Sequence, residues 1–473
     1  MSQETRPYEP PKDGFRTFLI VWVTQSISVL GSNLTFFATT IWLTQVLYPR
    51  PEQKPELAWA LSAVSLAFAL PTIFGAPLAG AWADRHDRRR TMMAMDLVSG
   101  LLSVLLAALL LTGRLNLGVL LALTLVAASA AAFHSSAFDT SYAMLVPDRL
   151  LPRANGMMQT MFSLSAILSP AAAAALISLP VLARQGHLTG GLGARLGGME
   201  SGIPLPIVID AVTFFVGAVT LVFLTIPSPV RTDLKKSNGR LDKSIWADVR
   251  EGALYIWHRR PLLWLLGTFA VANLVDGPLG VLTPLIVKFN LAGDWAGRGF
   301  TFETAFALLA TISGFGGLVG GLLISAWGGL RKRRVYGVFV PMIFSGLAMV
   351  VAGRSSYLYL AAGMFFAVNL TFPICNAHSQ TIWQTQTPRE LQGRVFAVRR
   401  LIAQGSLPLS TAMVGLVTGL LNPGRVVAAL GALLAVFCIA QFFNPYLLKV
   451  EDKAFLDRMA AGRSVAQAPT PAE

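Results

Sequence analysis

Charged residues and cysteines are both scarce in this chain. Of its 473 residues only 13% are charged, whereas a soluble domain carries roughly a quarter. The two cysteines, Cys375 and Cys438, both fall inside long apolar runs. A disulfide framework and a thiolate metal site are therefore excluded, and we expect neither a metal nor another cofactor.

Sequence motifs of several enzyme classes are also missing. The chain has no H-E-x-x-H, no G-x-S-x-G and no Walker loop of the form G-x-x-x-x-G-K. These motifs supply a zinc site, a serine nucleophile and a phosphate cradle, respectively. We therefore expect a protein that is not an enzyme and that does not draw its energy from ATP.

Long apolar runs are what the sequence does contain, since 54% of its residues are hydrophobic. A bilayer core needs about 20 apolar residues per helix. The net charge of +14 does not indicate nucleic acid, because the charges lie between runs too long for a soluble fold; the expected partner is the lipid bilayer. We predict twelve spanning helices, at residues 15–46, 57–82, 91–112, 117–138, 155–180, 204–226, 261–289, 303–328, 335–353, 357–380, 395–421 and 425–448.

Lysine and arginine are distributed unevenly between the two sides of this arrangement. Twelve spans place both termini on one side, and 29 of the 38 basic residues lie on that side. Because basic loops stay in the cytoplasm, we expect a multi-pass protein of the cell inner (plasma) membrane with both termini cytoplasmic. The first apolar run is too long for a signal-peptide core, so the first helix should remain in the mature protein.

The two halves of the chain look like a repeat. Ala81-Trp82 before Arg88-Arg89 recurs as Ala326-Trp327 before Arg333-Arg334. Within the linker, residues 243–259 fit either an amphipathic helix on the inner leaflet or a partly ordered tether. We predict an N-terminal six-helix bundle at 1–226, a cytoplasmic linker at 227–260, a C-terminal six-helix bundle at 261–448 and a cytoplasmic tail at 449–473.

A compact basic motif joins the second and third predicted helices. It reads Gly80-x-x-x-Asp84-Arg85-His86-Asp87-Arg88-Arg89. This motif resembles the signature G-x-x-x-D-R-x-G-R-R of the major facilitator superfamily, with Asp87 where that family usually has glycine. Basic cytoplasmic loops also occur in unrelated membrane proteins, but the spacing and the flanking helices favour the family.

Short segments on helices 1, 5, 6 and 11 narrow the resemblance. Those on helices 1, 6 and 11 are together similar to the branch that contains macrolide efflux pumps and enterobactin exporters, and the segment on helix 5 is similar to a degraded antiporter motif, G-x-x-x-G-P. The resemblance implies an all-α membrane protein with twelve transmembrane helices in two six-helix bundles, related by a pseudo-two-fold axis along the membrane normal. The motifs are 25–32 on helix 1, 165–170 on helix 5, 209–214 on helix 6 and 391–395 at the start of helix 11.

The same resemblance implies a secondary active transporter that works by alternating access. We expect a monomer that exports a small amphipathic or hydrophobic molecule, such as a drug or a siderophore, with proton coupling. Within transport, the alternative is import of a nutrient or a lysolipid. Outside transport, the alternative is a non-transporting membrane receptor.

Polar residues inside the spans are the candidates for substrate binding and coupling, because an ionisable group in a bilayer is costly unless it is paired or hydrated. For a single Asn or Gln, a hydrogen bond between helices is the simpler interpretation. His134 and His378 lie toward the cytoplasmic ends of their helices, where hydration alone would accommodate them. Asp210 lies on an outer helix and suits a structural bond. The candidates are Gln25, Asn33, His134, Asp210, Asn273, Asp276, Asn369 and Asn376.

Asp276 is the residue to which we assign coupling. It precedes Gly277-Pro278 in the middle of the seventh predicted helix, where a proline removes a backbone donor and kinks the helix. Transporters place substrates and coupling ions at such interruptions. Two other interpretations stay open: Asp276 caps the second half of the helix, or it lies nearer the external end.

The basic motif is expected to act as a gate, as the resemblance implies. We expect Asp84, Arg85 and Arg88 to hold the cytoplasmic ends of the two bundles together in the outward-open state. Asp84 would face the positive N-terminus of helix 11, and Arg88 would reach Asp139. The gating set is Gly80, Asp84, Arg85, Arg88, Arg89 and Asp139.

The predicted topology can be tested with reporter fusions. Fusions after Lys243 and after Glu473 should report a cytoplasmic location, and a fusion after Gly191 should report an external one. An external signal at Lys243 would contradict the division into six plus six helices.

Overall fold

The fold of the chain is helical throughout the parts that its computed structural model describes, residues 11–188, 190–227 and 241–466. Twelve segments of these parts are long and apolar enough to cross a membrane, which confirms the predicted all-α class and span count. We number them α1 to α12. They are Gly14–Leu47, Pro51–Phe74, Arg88–Leu111, Leu117–Tyr142, Arg153–Arg184, Pro204–Val222, Arg260–Phe289, Phe302–Trp327, Tyr336–Arg354, Leu358–Gln386, Arg394–Leu420 and Pro423–Gln441.

The outward faces of the spans are apolar. Leu101 in α3 and Val436 in α12 are 61% and 65% exposed, and many other large apolar side chains of the spans are exposed as well. A soluble protein rarely leaves so much apolar surface in contiguous patches. These faces therefore fit the hydrocarbon core of a bilayer.

Two apolar runs are interrupted by glycine and proline. The second predicted helix, 57–82, is in fact two helices, because Lys54–Phe74 ends at Gly75 and Ala76–Arg85 follows. Gly75 lies so close to the Pro71 carbonyl that a Cβ would be 2.3 Å from its oxygen. This break does not appear in the hydropathy of the run, because the run remains apolar across Gly75. Span α7 divides into Arg260–Asp276 and Leu279–Phe289, at the interruption that Pro278 predicts.

The twelfth span is also shorter than predicted. It runs over Pro423–Gln441 instead of 425–448, and a separate turn, Pro445–Leu448, follows it. Asn444 caps that turn, since its side chain accepts hydrogen bonds from the backbone N–H groups of Tyr446 and Leu447. An Asn cap followed by Pro at the first helical position starts a new helix at this point.

The contacts divide the chain into two units. The first is Met1–Gln53 with Ala63–Arg231, and the second is Lys54–Ser62 with Thr232–Glu473. The start of α2 thus groups with the second unit. The domain boundaries drawn from the sequence at residues 226, 260 and 448 stay predictions.

The linker segment forms a helix, Leu241–His258, that packs within the second unit. Tyr255 donates a hydrogen bond to the Gln386 carbonyl at 2.7 Å, and burial raises the pKa of its hydroxyl. Glu251 pairs with Arg394 at the start of α11. The segment is helical, as one of the two interpretations left open by the sequence required. Its location on the inner leaflet stays a prediction.

Asp210 joins three spans of the first unit. Its carboxylate is buried in α6 and accepts hydrogen bonds from Thr35 at 2.7 Å, Ser103 at 3.0 Å and Ser32 at 3.4 Å. Ser32 and Thr35 belong to α1, and Ser103 belongs to α3. Gly31 of α1 packs so closely on α6 that a Cβ would lie 2.9 Å from Asp210 Oδ1. The structural bond expected for Asp210 is therefore present.

The three hydroxyls make Asp210 a determinant of stability. We expect Asp210→Asn to lower the melting temperature of the purified protein, because a hydrogen bond to a charged group contributes about 1.5–3 kcal/mol. Asp276→Asn is the matched control, since Asp276 accepts no hydrogen bond from the described residues, and it should leave the melting temperature unchanged. Equal melting temperatures for the Asp210 variant and wild type would contradict a structural role.

Candidate functional site

A cavity of about 130 Å³ opens inside the second unit. Side chains of α7, α9, α10 and α12 line it. Four of the eight polar residues selected from the sequence meet there: Asn273 and Asp276 from α7, and Asn369 and Asn376 from α10. Because these residues are up to about 100 positions apart in the sequence, only the packing of the helices brings them to one site.

Asp276 supplies the only carboxylate among the residues that line this cavity. It is the last residue before the interruption of α7, and its side chain is exposed to the cavity. Gly277 fits tightly against α11, since a Cβ there would lie 2.9 Å from Leu407 and Ser410. The contact fixes the interruption and therefore the position of the carboxylate.

The capping interpretation of Asp276 is wrong. Pro278 occupies the N-cap of Leu279–Phe289, and no side chain caps that helix. The described residues donate no hydrogen bond and offer no ion pair to the Asp276 carboxylate. A carboxylate with neither is tolerated in a span only where water or a ligand reaches it.

The three asparagines turn their amide nitrogens toward the protein. Asn273 Nδ2 donates to the Ala403 carbonyl of α11 at 3.0 Å, and Asn369 Nδ2 donates to Ser313 Oγ of α8 at 2.6 Å. Asn376 Nδ2 donates to the Phe372 carbonyl in its own helix at 3.0 Å. With the amides in this orientation, their side-chain oxygens accept no hydrogen bond from the described residues.

Two consequences follow for the cavity. The amides of Asn273 and Asn369 do bind helices together, as the simpler interpretation of these residues holds. Their oxygens, together with the Asp276 carboxylate, also make the polar part of the wall rich in hydrogen-bond acceptors. Such a wall suits a cation or a group that carries N–H donors.

The other four selected residues belong to the first unit. Asn33 Nδ2 donates to Ser165 Oγ at 2.9 Å and so joins α1 to α5. Gln25 is buried, and its amide nitrogen has no hydrogen-bond partner among the described residues. His134 lies 3.2 Å from Asp96, and Asp210 binds the three hydroxyls of α1 and α3.

The basic motif lies at the end of the helix Ala76–Arg85 and the start of α3. Arg88 is buried and donates to the Ala83 and Thr140 carbonyls at 3.4 and 3.3 Å. Arg89 donates to the Val222 carbonyl at 2.8 Å. Arg85 is exposed. The arginines thus bind carbonyls of α4 and α6 at the helix ends.

Three further members of the gating set complete this region. Gly80 packs toward α4, where a Cβ would lie 3.8 Å from Ser136 Oγ. Asp139 is exposed on α4, and its pairing with Arg88 stays a prediction. The side chain of Asp84 lies outside the described residues, so its contact with helix 11 also stays a prediction.

Asp87, the departure from the family motif, has a structural role. It is the N-cap of α3, and its carboxylate accepts a hydrogen bond from the backbone N–H of Arg90 at 2.8 Å. Asp is among the preferred residues for an N-cap. A glycine there would leave this donor without the carboxylate, so the substitution strengthens the start of the helix.

His378 was misjudged from the sequence, because it is not merely hydrated at a helix end. Its ring is buried, with Nδ1 2.7 Å from the Ile374 carbonyl and Nε2 accepting from the Leu330 N–H at 2.9 Å. That pattern requires the proton on Nδ1. Gly329, in the left-handed region at φ +73°, and Gly337 leave space for the ring.

Two ionisable residues of the interior were not selected as sites. Asp96 of α3 is almost fully buried. Arg399 lies in α11, where it donates to Gln380 Oε1 at 2.6 Å and lies over the Trp383 ring. Their signals in the sequence are a single acid inside an apolar run for Asp96 and the adjacent pair Arg399-Arg400 for Arg399. In the described part of the chain, no group of three or more His, Cys, Asp or Glu side chains could hold a metal ion.

Known proteins resemble this chain over most of its length. Macrolide efflux protein A of Streptococcus pyogenes is 25% identical over 398 residues, which cover 83% of this chain and 87% of that protein. The multidrug efflux pump Tap of Mycolicibacterium fortuitum is 25% identical over 361 residues, or 75% of this chain and 79% of that protein. These relatives confirm the resemblance to the macrolide-efflux branch.

Solved structures share the fold. A bacterial homolog of the human lysosomal transporter Spinster, in an inward-facing and unoccupied conformation, has a TM-score of 0.59 at 16% identity and covers 99% of this chain and 100% of that one. A POT family transporter in complex with 5-aminolevulinic acid has a TM-score of 0.64 at 12% identity, over 95% and 99% of the two chains.

The family itself follows from a match across most of the sequence. The profile of the Major Facilitator Superfamily covers residues 21–411. It includes the basic motif, the interrupted α7 and the polar residues of α10. The chain belongs to the Major Facilitator Superfamily, and it is a membrane transporter, not an enzyme.

Proposed function

We propose that this transporter exports a small amphipathic or hydrophobic molecule by alternating access, driven by protons. Support for export comes from its likeness to proteins named for macrolide and multidrug efflux. Support for proton coupling comes from one observation: the Asp276 carboxylate lies in a cavity without a hydrogen-bond donor or basic partner among the described residues.

The chemistry of the cavity favours a cationic part of the substrate. The polar wall presents the Asp276 carboxylate and the amide oxygens of Asn273, Asn369 and Asn376, all of which accept hydrogen bonds. Phe269 and Phe372 contribute aromatic surface beside them. A protonated amine with apolar substituents matches both features, because ring faces attract cations.

The size of the cavity limits what enters it. A volume of about 130 Å³ accommodates a few water molecules or an alkylated amino group. It does not accommodate a whole macrolide. We therefore assign this cavity to the cationic group of the substrate, with the rest of the molecule outside it.

In the proposed cycle, Asp276 binds either the cationic substrate or a proton, but not both at once. In the charged form its carboxylate binds the cationic substrate. After a proton neutralises the carboxylate, the attraction is lost and the substrate leaves. Because proton and substrate compete for the same oxygens, downhill proton movement can drive the substrate uphill.

Orientation and assembly complete the proposal. Both termini face the cytoplasm, so that the linker helix Leu241–His258 and the tail lie on the inner side, as the distribution of basic residues favours. The transporter acts as a monomer, because the cavity is formed within one chain.

The assignment of Asp276 can be tested with Asp276→Asn in proteoliposomes. Asparagine keeps the size of the side chain but neither carries charge nor binds a proton. We expect loss of erythromycin accumulation driven by a pH gradient, while exchange of labelled for unlabelled erythromycin persists. We also expect the affinity for this tertiary amine to fall about tenfold, which corresponds to about 1.4 kcal/mol.

The control for this experiment is Asp457→Asn, in an exposed acid that binds Arg259 at 3.2 Å away from the cavity. It should transport like wild type. If Asp276→Asn accumulates erythromycin against a gradient as well as wild type does, Asp276 is not the coupling acid. If wild type neither binds nor accumulates the drug, this substrate class is wrong.

We also propose that the basic motif stabilises the outward-open state. The support is the placement of Arg88 and Arg89 at the ends of α3, α4 and α6, where they already bind helix carbonyls. Asp84 would face the N-terminus of helix 11, which carries about half a positive charge. An interaction of about 1–3 kcal/mol is enough to shift a two-state equilibrium strongly.

The gate is tested with Asp84→Asn. We expect transport to be lost while erythromycin binding remains, because the conformational equilibrium shifts and the cavity does not change. A cysteine at Ala377, in a background without Cys375 and Cys438, should then react faster with a membrane-impermeant maleimide from the cytoplasmic side. Full transport by this variant would exclude the gating role.

A further inference from the structure

Asp96 of α3 and His134 of α4 form a buried pair in the first unit. The two side chains lie 3.2 Å apart, between Asp96 Oδ1 and His134 Nε2. The Asp96 side chain is 2% exposed and the His134 side chain is 14% exposed. The carboxylate is thus enclosed, while one edge of the imidazole remains accessible.

The second oxygen of Asp96 lacks a donor. Asp96 Oδ2 is buried and has no hydrogen-bond partner among the described residues, and the same holds for His134 Nε2, so the 3.2 Å approach of the two side chains is an ion-pair contact and not a hydrogen bond. Gly217 of α6 lies directly against it, since a Cβ there would be 3.1 Å away. The nearby Ser28 hydroxyl donates elsewhere, to the Thr213 carbonyl at 3.2 Å. A buried oxygen without a donor makes a fixed negative charge costly at this position.

Asp210, in the same unit, has different hydrogen-bond partners from Asp96. Both carboxylates are almost fully buried, but Asp210 accepts hydrogen bonds from three hydroxyls. Asp210 therefore has three fixed hydroxyl donors. The partner of Asp96 is instead an imidazole, which can carry one or two protons.

The helices packed around Asp96 and His134 carry other charged groups. These lie at the ends of the spans, or one to two helical turns along the sequence from the pair or from the residues that contact it. On α3 these are Arg88, Arg89 and Arg90, of which Arg88 donates to backbone carbonyls, and the helix Ala76–Arg85, which packs on α4, adds Arg85. On α4 the charged group is Asp139, and on α6 it is Asp210. The α1 side contributes the Gln25 amide and the Ser28 hydroxyl. The imidazole of His134 is the basic group that lies within ion-pair distance of Asp96.

We propose that Asp96 and His134 form a second proton-binding site of the transporter, in the unit that does not contain the Asp276 cavity. The pair without the proton consists of a carboxylate and a neutral imidazole, with one net negative charge. One proton from water converts it into a neutral carboxylate–imidazolium pair, and release to water restores the first state. This role rests on the proposed proton-coupled export, in which two sites would carry protons in each cycle.

Proton binding by the pair can be measured without any substrate. The chain has five histidines, so imidazole NMR signals of the ¹³C-labelled, detergent-solubilised protein can be assigned by single substitutions. We expect the signal that His134→Gln removes to change position when the pH is varied. In Asp96→Asn that response to pH should differ from the response in wild type, because the carboxylate partner is gone. A His134 signal that does not respond to pH would overturn the proposal.

Coupling is measured in proteoliposomes with erythromycin as the probe. We expect Asp96→Asn and His134→Gln to lose accumulation driven by a pH gradient while exchange and binding persist, with affinity within about twofold of wild type because neither residue lines the cavity. Asp276→Asn differs, since it also weakens binding. His187→Gln, an exposed histidine outside the spans, is the matched control and should transport normally.

The outcomes distinguish the proposed Asp96–His134 site from the proposed proton-coupled export. If wild type accumulates erythromycin and both pair variants do so equally well, the Asp96–His134 site does not couple protons, and the proposal is overturned. If wild type shows no accumulation, the proposed export fails, and the NMR titration alone decides whether the pair takes up a proton. Retained exchange and binding in the variants show that they are folded.

Discussion

A carboxylate in a membrane span must be bonded, paired or hydrated, and this constraint organises the interior of the transporter. Three aspartates of the described spans show the three solutions. Asp210 is bonded by three hydroxyls, Asp96 is paired with an imidazole, and Asp276 opens into a cavity. The environment, not the residue type, therefore assigns each aspartate its role in structure or in transport.

Hydropathy was sufficient to predict the twelve spans, because a bilayer demands runs of about 20 apolar residues. It could not show the break at Gly75, where the run remains apolar while the backbone ends one helix and begins another. The interruption of α7 was predictable because Pro278 cannot complete the helical hydrogen bonds. The sequence thus predicted the spans, and it predicted the break in α7 because Pro278 marks it.

The candidate site was predictable in part. The sequence identified Asn273, Asp276, Asn369 and Asn376 as polar residues of spans, but not that they share a cavity, because the rotation of each helix is set by packing. It also did not reveal the partner of His134, since the spacing between α3 and α4 does not specify which faces meet. The role of His378 depends on a backbone N–H in a glycine loop, which leaves no pattern in hydropathy.

The two copies of the repeated loop are held by different interactions. In the second half, the loop after α8 is held by a neutral histidine that binds the backbone. In the first half, the corresponding segment carries Arg85, Arg88 and Arg89 around an acid. Ionic strength and anionic lipid headgroups act on exposed charges but scarcely on a buried neutral bond. Because Arg331, Lys332 and Arg333 of the second loop are exposed like Arg85 of the first, anionic lipids can act on both loops, while the buried bond of His378 stays out of their reach.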